Sequence, residues 1–423
     1  LPDRGFAALF ESDHPQDREF SMEAVAGFPK REVQAIGLIG FAHMLSHLYW
    51  LALAPLAPSM IDEMQITAVD WGLALGAFSI TTGIFQTPMG LLVERVGGRR
   101  VLIGGLLLTA VAIFAIGAIA TSYWWLIALM AIAGIGNSVF HPADYSLLNA
   151  SINEERIGRA FSLHNFSGQI GFVVGPILTV AMEPFFGWRG AIMALGVIGM
   201  IMTLLLVLYG GRITEGNKVK KQSSIVDSLR DLLTSKPVML FFVFYMCSSL
   251  GNFGVTQFSV LAFQPMYGLE KVAVVVALTA YQIGTLILII PGGILADRIG
   301  RYDVIMLSGF GIAAAATYLV GTGVMPFWLV VGTLCLAGAM RGGVNATRDV
   351  AVRRVIEHLP VGTVFAFVST GFTVGQAFGG LVYGYLFDNY PPNYIFYASA
   401  LFTMIGALTV LLNGGTRNKA RTT

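Results

Sequence analysis

The sequence predicts an all-α membrane protein: twelve transmembrane helices in two pseudo-symmetric six-helix bundles. Three observations carry that expectation. The chain of 423 residues is 55% apolar and only 12% charged, with a mean hydropathy of +0.72, which no ordinary soluble domain shows. Stretches such as VLIGGLLLTAVAIFAIGAIAT (101–121) and YIFYASALFTMIGALTVLL (394–412) hold no charge, Asn, Gln or His. About 20 such residues, at about 1.5 Å each, cross roughly 30 Å of hydrocarbon as a helix. Finally, the second half repeats the first. Shifting by 203 lays Gly90 on Gly293, Glu94 on Asp297, Arg95 on Arg298 and Gly97 on Gly300; shifting by 204 lays Gly134 on Gly338, Gly158 on Gly362, Gly171 on Gly375 and Gly175 on Gly379. A near-constant offset over half the chain implies duplication, with the halves related by an axis along the membrane normal.

Apolar runs read against turn and charge punctuation give the elements in order. Residues 1–33 are mixed and polar, without a basic stretch leading into a short apolar core, and read as a tail and not a signal peptide. The first span, 34–60, carries two histidines. The second, 70–93, runs into a charged turn at 94–100, and the third, 101–121, is uncharged. The fourth, 124–149, and fifth, 159–182, flank the polar segment 150–159, and GWRGA (187–191) opens the sixth, 189–209. The longest interruption, 210–237, is basic and polar with an amphipathic middle, and reads as a linker. After it come spans at 238–265, 271–296, 304–322, 326–350, 361–387 and 393–412, and a tail at 413–423. The expected organisation is therefore an N-terminal bundle (34–209), a linker (210–237) and a C-terminal bundle (238–412).

Of the 26 Lys and Arg, 23 fall in the two tails, the linker and the segments 94–100, 150–159, 297–303 and 348–360. With twelve spans all seven segments share one side, so both termini are expected to be cytoplasmic. A formal net charge of only +2 gives nucleic-acid binding no support. Cys247 and Cys335 stand alone in apolar segments and read as inert buried thiols. No nucleophile, base and orienting residue occur together, which argues against an enzyme.

GLLVERVGGRR (90–100) and GILADRIGRYD (293–303) carry the chain's charges in the same pattern twice: Gly90, Glu94, Arg95, Gly97, Arg99 and Arg100, then Gly293, Asp297, Arg298, Gly300 and Arg301. An acid at a helix end followed by basic residues on a short turn can face the N-terminal dipole of a neighbouring helix and pair with carboxylates there. These two copies resemble the loop motif G-x-x-x-D-R-x-G-R-R of the major facilitator superfamily of secondary transporters, and GWRGA is similar to a common sequence of that family. The resemblance covers essentially all of 34–412. It implies that the turns form a cytoplasmic latch between the halves, built from Glu94, Arg95, Arg99, Asp297, Arg298 and Arg301, with Asp144 as an acidic partner for the motif's arginine. Glu94 stands where the family usually has Asp. GQIGFVVGP (168–176) resembles the family's proton-linked exporter motif at Gly171, Gly175 and Pro176, and departs from it at Thr179 and Val180; close helix packing accounts for the same residues. HMLSHLYWLALAPLAP (43–58) and FHPADYSLLNA (140–150) resemble the fosmidomycin-resistance group of bacterial exporters.

The third, sixth, ninth and twelfth spans have no charged residue, Asn, Gln or His in their interiors. Because polar groups are unfavourable in lipid, these four are expected outside and the other eight around a central cavity. Arg341, about fifteen residues into the tenth span, is the only permanent charge deep in the apolar volume. It is expected to meet a carboxylate, phosphate or phosphonate of a substrate, with Asn345, Gln169, Asn137, Gln257, Gln282 and Gln376 as further contacts; a structural partner for Arg341 is the alternative. His43 and His47, four apart on one helix face, and His141 are candidate proton carriers. The pair His43 and His47 could also chelate a metal. However, His141 and His164 are expected nearer the cytoplasmic end, roughly 10 Å lower, so no four-histidine site is expected.

These residues predict a proton-coupled secondary active transporter that moves a small polar or amphiphilic, anionic solute outward by alternating access. A P-loop is missing, so a proton gradient is the expected energy source. Alternatives are a proton-linked importer of an organic anion, a transition-metal transporter using the intramembrane histidines, and a non-transporting receptor or scaffold. The expected partners are solute, protons and the lipid of a bacterial inner membrane, with no cofactor, no nucleic acid and a monomeric state.

Overall fold

The computed structural model describes residues 27–215, 232–355 and 361–412, apart from a few side chains within helices, Asp297 and Asp349 among them. Most of the expected linker and both tails therefore lie outside the described residues. The described chain is helical, with no strand. Among the described residues ten helices are long and apolar enough to cross a membrane. One, Ile157–Arg212, holds two crossings, because Gly187 adopts φ 64° and ψ 174° inside it, a conformation open to glycine. A further helix, Val361–Asn389, packs lengthwise between others. The result is the expected set of twelve spans.

They are the first, Lys30–Met64; second, Ala68–Val96; third, Gly98–Ile119; fourth, Tyr123–Ser151; fifth and sixth, 157–186 and 188–209; seventh, Lys236–Tyr267; eighth, Lys271–Ile299; ninth, Tyr302–Gly321; tenth, Phe327–Val355; eleventh, Val361–Asn389; and twelfth, Asn393–Leu412. Three of them break locally. The first passes through a 3-10 turn at Ala54–Leu56, where Pro55 cannot donate a helical hydrogen bond. The fourth is interrupted between Asn137 and Phe140. The seventh contains a π-turn at Gly254–Phe258, a feature common at functional sites.

Packing repeats between the halves. The first span lies on the fifth, the second on the fourth and the third on the sixth; likewise the seventh lies on the eleventh, the eighth on the tenth and the ninth on the twelfth. The third, sixth, ninth and twelfth spans turn large apolar side chains outward, among them Val111, Leu204, Ile312 and Leu408, as their composition predicts for lipid-facing helices. GWRGA has a structural task. Arg189 donates from Nη2 to the Ala120 carbonyl (2.9 Å) and from Nη1 to the Gly117 carbonyl (3.2 Å), capping the third span, and from Nε to Glu63 (2.9 Å) at the end of the first.

The halves meet along two pairs, second with eleventh and fifth with eighth. On the former, backbone touches backbone: a Cβ at Gly380 would lie 1.9 Å from the Gly72 carbonyl oxygen, and one at Gly384 2.5 Å from that of Ala68. Glycine is required at such an approach. We expect Gly380→Ala to lower the thermal midpoint of the purified protein, by the equivalent of about 1–3 kcal/mol for overpacking, whereas Gly104→Ala, with open space around it, leaves the midpoint unchanged or slightly raised. An unaltered midpoint in Gly380→Ala would show that the seam is not tightly closed in solution.

Candidate functional site

The N-terminal half gathers its intramembrane histidines around one carboxylate. The first span supplies His43 and His47 from one face, the fourth His141 and Asp144, and the fifth His164. A salt bridge sets the register: Arg156 Nη2 lies 2.8 Å from Glu32 Oε1 at the ends of the fifth and first spans. Eleven residues on from Glu32 and eight on from Arg156, His43 and His164 reach the same depth to within roughly a turn. Gly168 and Gly171 then bring the fifth span in: a Cβ at Gly168 would lie 2.7 Å from His43 Nε2, and one at Gly171 2.2 Å from the Met44 carbonyl oxygen. In the described structure the glycines of GQIGFVVGP thus pack the fifth span onto the first.

The outcome corrects the expected depths. Ring centroids of His43 lie 3.8 Å from those of His164, 4.5 Å from His47 and 5.6 Å from His141; the four are one cluster, not two layers about 10 Å apart. Asp144 also sits elsewhere than the resemblance implies. It is fully buried and faces His43 Nδ1 at 3.3 Å and His164 Nε2 at 3.7 Å through Oδ2, and among the described residues it pairs with no loop arginine. His43 and His164 are buried as well, His47 is half-buried and His141 is exposed. Among the described residues neither oxygen of Asp144 takes part in a hydrogen bond, nor do His43 Nδ1, His47 Nδ1 or either nitrogen of His164.

In the C-terminal half Arg341 is buried and donates from Nη2 to the Ser248 carbonyl and, at 2.9 Å, to Ser248 Oγ; its guanidinium stands over the Phe310 ring at 5.3 Å. No carboxylate lies within 4 Å of it among the described residues. One helical turn on, half-buried Asn345 accepts from Arg348 Nη1 at 3.3 Å, and Arg348 stands over Tyr245. Gln257 is buried in the π-turn and donates across the halves to the Trp50 carbonyl at 2.9 Å. Gln282 is buried, while Asn137, Gln169 and Gln376 are half-buried. No hydrogen bond joins Arg341 to Gln169 or Asn137 among the described residues.

Polar contacts across the halves concentrate on the side away from the termini. Lys271 Nζ, opening the eighth span, is 2.6 Å from Glu183 Oε1 of the fifth and donates to Ser59 Oγ of the first at 2.9 Å. Asp388, ending the eleventh span, accepts from the free N–H groups of Ala68 (3.0 Å) and Val69 (2.9 Å) at the start of the second, an inter-half helix cap. At the other end Arg99 lies 3.8 Å from Glu215 at the start of the linker, Arg301 lies 3.5 Å from Asp303, and Glu94 and Arg95 are exposed without an ion pair among the described residues. The backbone of Arg298 lies at the end of the eighth span, and the side chain of Asp297 is outside the described residues. Sequence reasoning missed Ser248, Glu183 and Asp388. Opposite charges at the ends of the fifth and eighth spans were the available signal for Glu183 with Lys271; a backbone carbonyl partner such as that of Ser248 leaves none.

A family model described as Major Facilitator Superfamily matches residues 39–278 and 265–422. The chain is 25% identical to the Probable L-galactonate transporter of Escherichia coli (strain K12) over 55% of this chain and 52% of that one, so the match spans about half of each. It is 23% identical to the Fosmidomycin resistance protein of the same organism over 89% of this chain and 92% of the relative. Among solved structures, a bacterial homolog to the human lysosomal transporter Spinster, in an inward-facing and unoccupied conformation, superposes with a TM-score of 0.77 at 13% identity, covering 92% of this chain and 98% of that chain.

Glu183→Gln should loosen the far-side seam, since Lys271 then keeps only neutral partners. With Cys247 and Cys335 replaced by Ser, a reporter Gln257→Cys should react several-fold faster with an impermeant maleimide added from that side when Glu183→Gln is present. Equal rates would mean that the ion pair does not hold the seam.

Proposed function

The chain belongs to the Major Facilitator Superfamily, and from that premise we propose that it is a proton-coupled secondary active transporter exporting a small polar or amphiphilic anion. It is a multi-pass membrane transporter and not an enzyme. The observation that carries the proposal is Arg341: a permanent cation, 5% exposed, whose described partners are a carbonyl, a hydroxyl and an aromatic face. Neutral partners leave its charge uncompensated, and burial of an unbalanced ion is unfavourable by several kcal/mol. A carboxylate, phosphate or phosphonate on the solute supplies the balance. Asn345, Gln282 and Gln376 offer neutral hydrogen bonds from the same half, Asn137 and Gln169 from the other, and Gln257 from the seam. His43, His47 and His141 are the groups proposed to exchange protons.

The termini side is the cytoplasmic one in this reading, so the far-side contacts of Lys271 and Asp388 correspond to an inward-facing state. Alternating access then requires these contacts to break while the latch residues Glu94, Arg95, Arg99, Asp297, Arg298 and Arg301 engage. Monomers suffice, because each chain contains both halves. Export is supported by the name of the fosmidomycin resistance relative. The relative named for L-galactonate, an organic anion, favours a second reading, a proton-linked importer using the same residues.

The test is transport by proteoliposomes under an imposed pH gradient, screening organic anions in both directions. Uphill exchange of an anion against protons supports the exporter; uphill uptake with protons supports the importer. Arg341→Ala should weaken the transported anion's binding by about 10- to 100-fold, equivalent to the loss of a charge-assisted hydrogen bond of about 1.5–3 kcal/mol, and Arg341→Lys by less. Unchanged affinity in Arg341→Ala would remove this residue from the site.

A further inference from the structure

We infer that His43, Asp144 and His164 form a binding site for one divalent transition-metal ion of the zinc type. The site shares His43 with the proposed proton exchange but no atom with the Arg341 anion site, so zinc binding and anion binding can fail separately. Three helices deliver the donors: two imidazole nitrogens and one carboxylate oxygen, all within 4.8 Å of one another. Around an ion with ligands at about 2.0–2.2 Å in tetrahedral geometry, neighbouring donors stand roughly 3.3–3.6 Å apart. His43 Nδ1 lies 3.3 Å and His164 Nε2 3.7 Å from Asp144 Oδ2. Two of the three edges thus match such a cage with little movement.

The same atoms are poorly placed as hydrogen-bond partners of one another. N–H···O bonds run about 2.7–3.2 Å, and both separations are longer. His43, Asp144 and His164 are 2%, 0% and 1% exposed, and among the described residues neither carboxylate oxygen, nor His43 Nδ1, nor either His164 nitrogen is hydrogen-bonded. Buried polar groups are otherwise nearly always satisfied. A single proton can join Asp144 Oδ2 to one of the two facing imidazole nitrogens, whereas a cation engages a donor from all three side chains at once.

Donor type selects the ion. Two imidazoles and one carboxylate suit zinc and its first-row neighbours, while calcium and magnesium demand oxygen ligands. A fourth position remains for His47, whose ring is 4.5 Å from that of His43 and whose Nδ1 is unbonded, or for water. The ring of exposed His141, 5.6 Å from His43, lies at the edge of the cluster and marks a route of entry. Three buried protein ligands and a fourth position open to His47 or water distinguish this arrangement from a closed four-ligand structural site.

The experiment uses full-length protein without a polyhistidine tag, stripped with chelator in detergent. Titration with zinc chloride by calorimetry should give one site per chain with micromolar or tighter affinity and a raised thermal midpoint, while magnesium chloride has no effect. Cobalt(II) should give the visible absorption of a four-coordinate ion. Asp144→Asn, nearly isosteric, should weaken zinc at least tenfold and abolish the cobalt band, and His164→Gln should do the same. If neither variant folds, His43→Gln, read by the cobalt band, replaces them. Absence of stoichiometric zinc binding, or binding that all folded variants retain, would overturn the inference and leave the cluster to protons alone. Loss of anion transport in Arg341→Ala with zinc binding intact would separate the two sites.

Discussion

Hydrocarbon offers a buried polar group neither a hydrogen bond nor a counter-ion, and the arrangement of this chain follows from that constraint. Helices without interior polar groups, the third, sixth, ninth and twelfth, stand outside with leucines and isoleucines outward. Helices with histidine, arginine or amide side chains bury several of them against one another, His43, His164, Gln257, Gln282 and Arg341 among them. Arg341 reaches a backbone carbonyl and the hydroxyl of Ser248 and stands over a ring, while Asp144 is turned to two imidazoles. Neither is compensated by an opposite permanent charge among the described residues. The same constraint that sorts the helices leaves these two groups as the unresolved electrostatics of the interior, one in each half.

Glycine is the second organising element, because it sets which helices touch. Gly168, Gly171 and Gly175 seat the fifth span on the first, with a Cβ at Gly175 only 2.8 Å from the Leu48 carbonyl oxygen. Their counterparts Gly375 and Gly379 seat the eleventh on the seventh, against Met246 and Phe253. The internal repeat therefore extends to contact geometry as well as loop charge. Gly72 and Gly380 add a contact outside the repeat, backbone against backbone between the halves. A motif that resembles an exporter signature is, at the level of atoms, the surface against which the histidine face of the first span is pressed.

Much of this was legible in the sequence, and what was not has a common cause. Span number, loop charges and the 203–204 offset are local or periodic signals that hydropathy and glycine spacing carry directly. The outward placement of four helices followed from their composition. Depth between helices is another matter. His43 and His164 meet because Glu32 pairs with Arg156 and because two glycines remove the space between the first and fifth spans; neither fact is visible when residues are counted from the end of each span separately. The family resemblance makes Asp144 a partner of the loop arginine, yet it lies on the buried face of a fourth span that breaks after Asn137. Ser248 meets Arg341 through its carbonyl and its hydroxyl; the carbonyl is the same in every residue, and no local signal marks which serine faces Arg341.

The contacts that close the far side are of a size suited to being undone. Lys271 and Glu183 are 29% and 14% exposed, and a partly solvated pair of that kind contributes about 1 kcal/mol or less. The hydrogen bonds from Ala68 and Val69 to Asp388 and from Gln257 to Trp50 contribute roughly 1–2 kcal/mol each. The seam's polar contacts thus amount to a few kcal/mol, with the glycine interface adding packing that survives a rocking motion only where the helices can pivot. A solute or ion need differ in its affinity for the two states by only a comparable amount to exchange one closure for the other. A seam of fully buried ion pairs would resist that exchange, and a seam of packing alone would have no register. Weak polar contacts at the rim, over a tight glycine contact beneath, meet both requirements of a transporter that must close firmly and reopen.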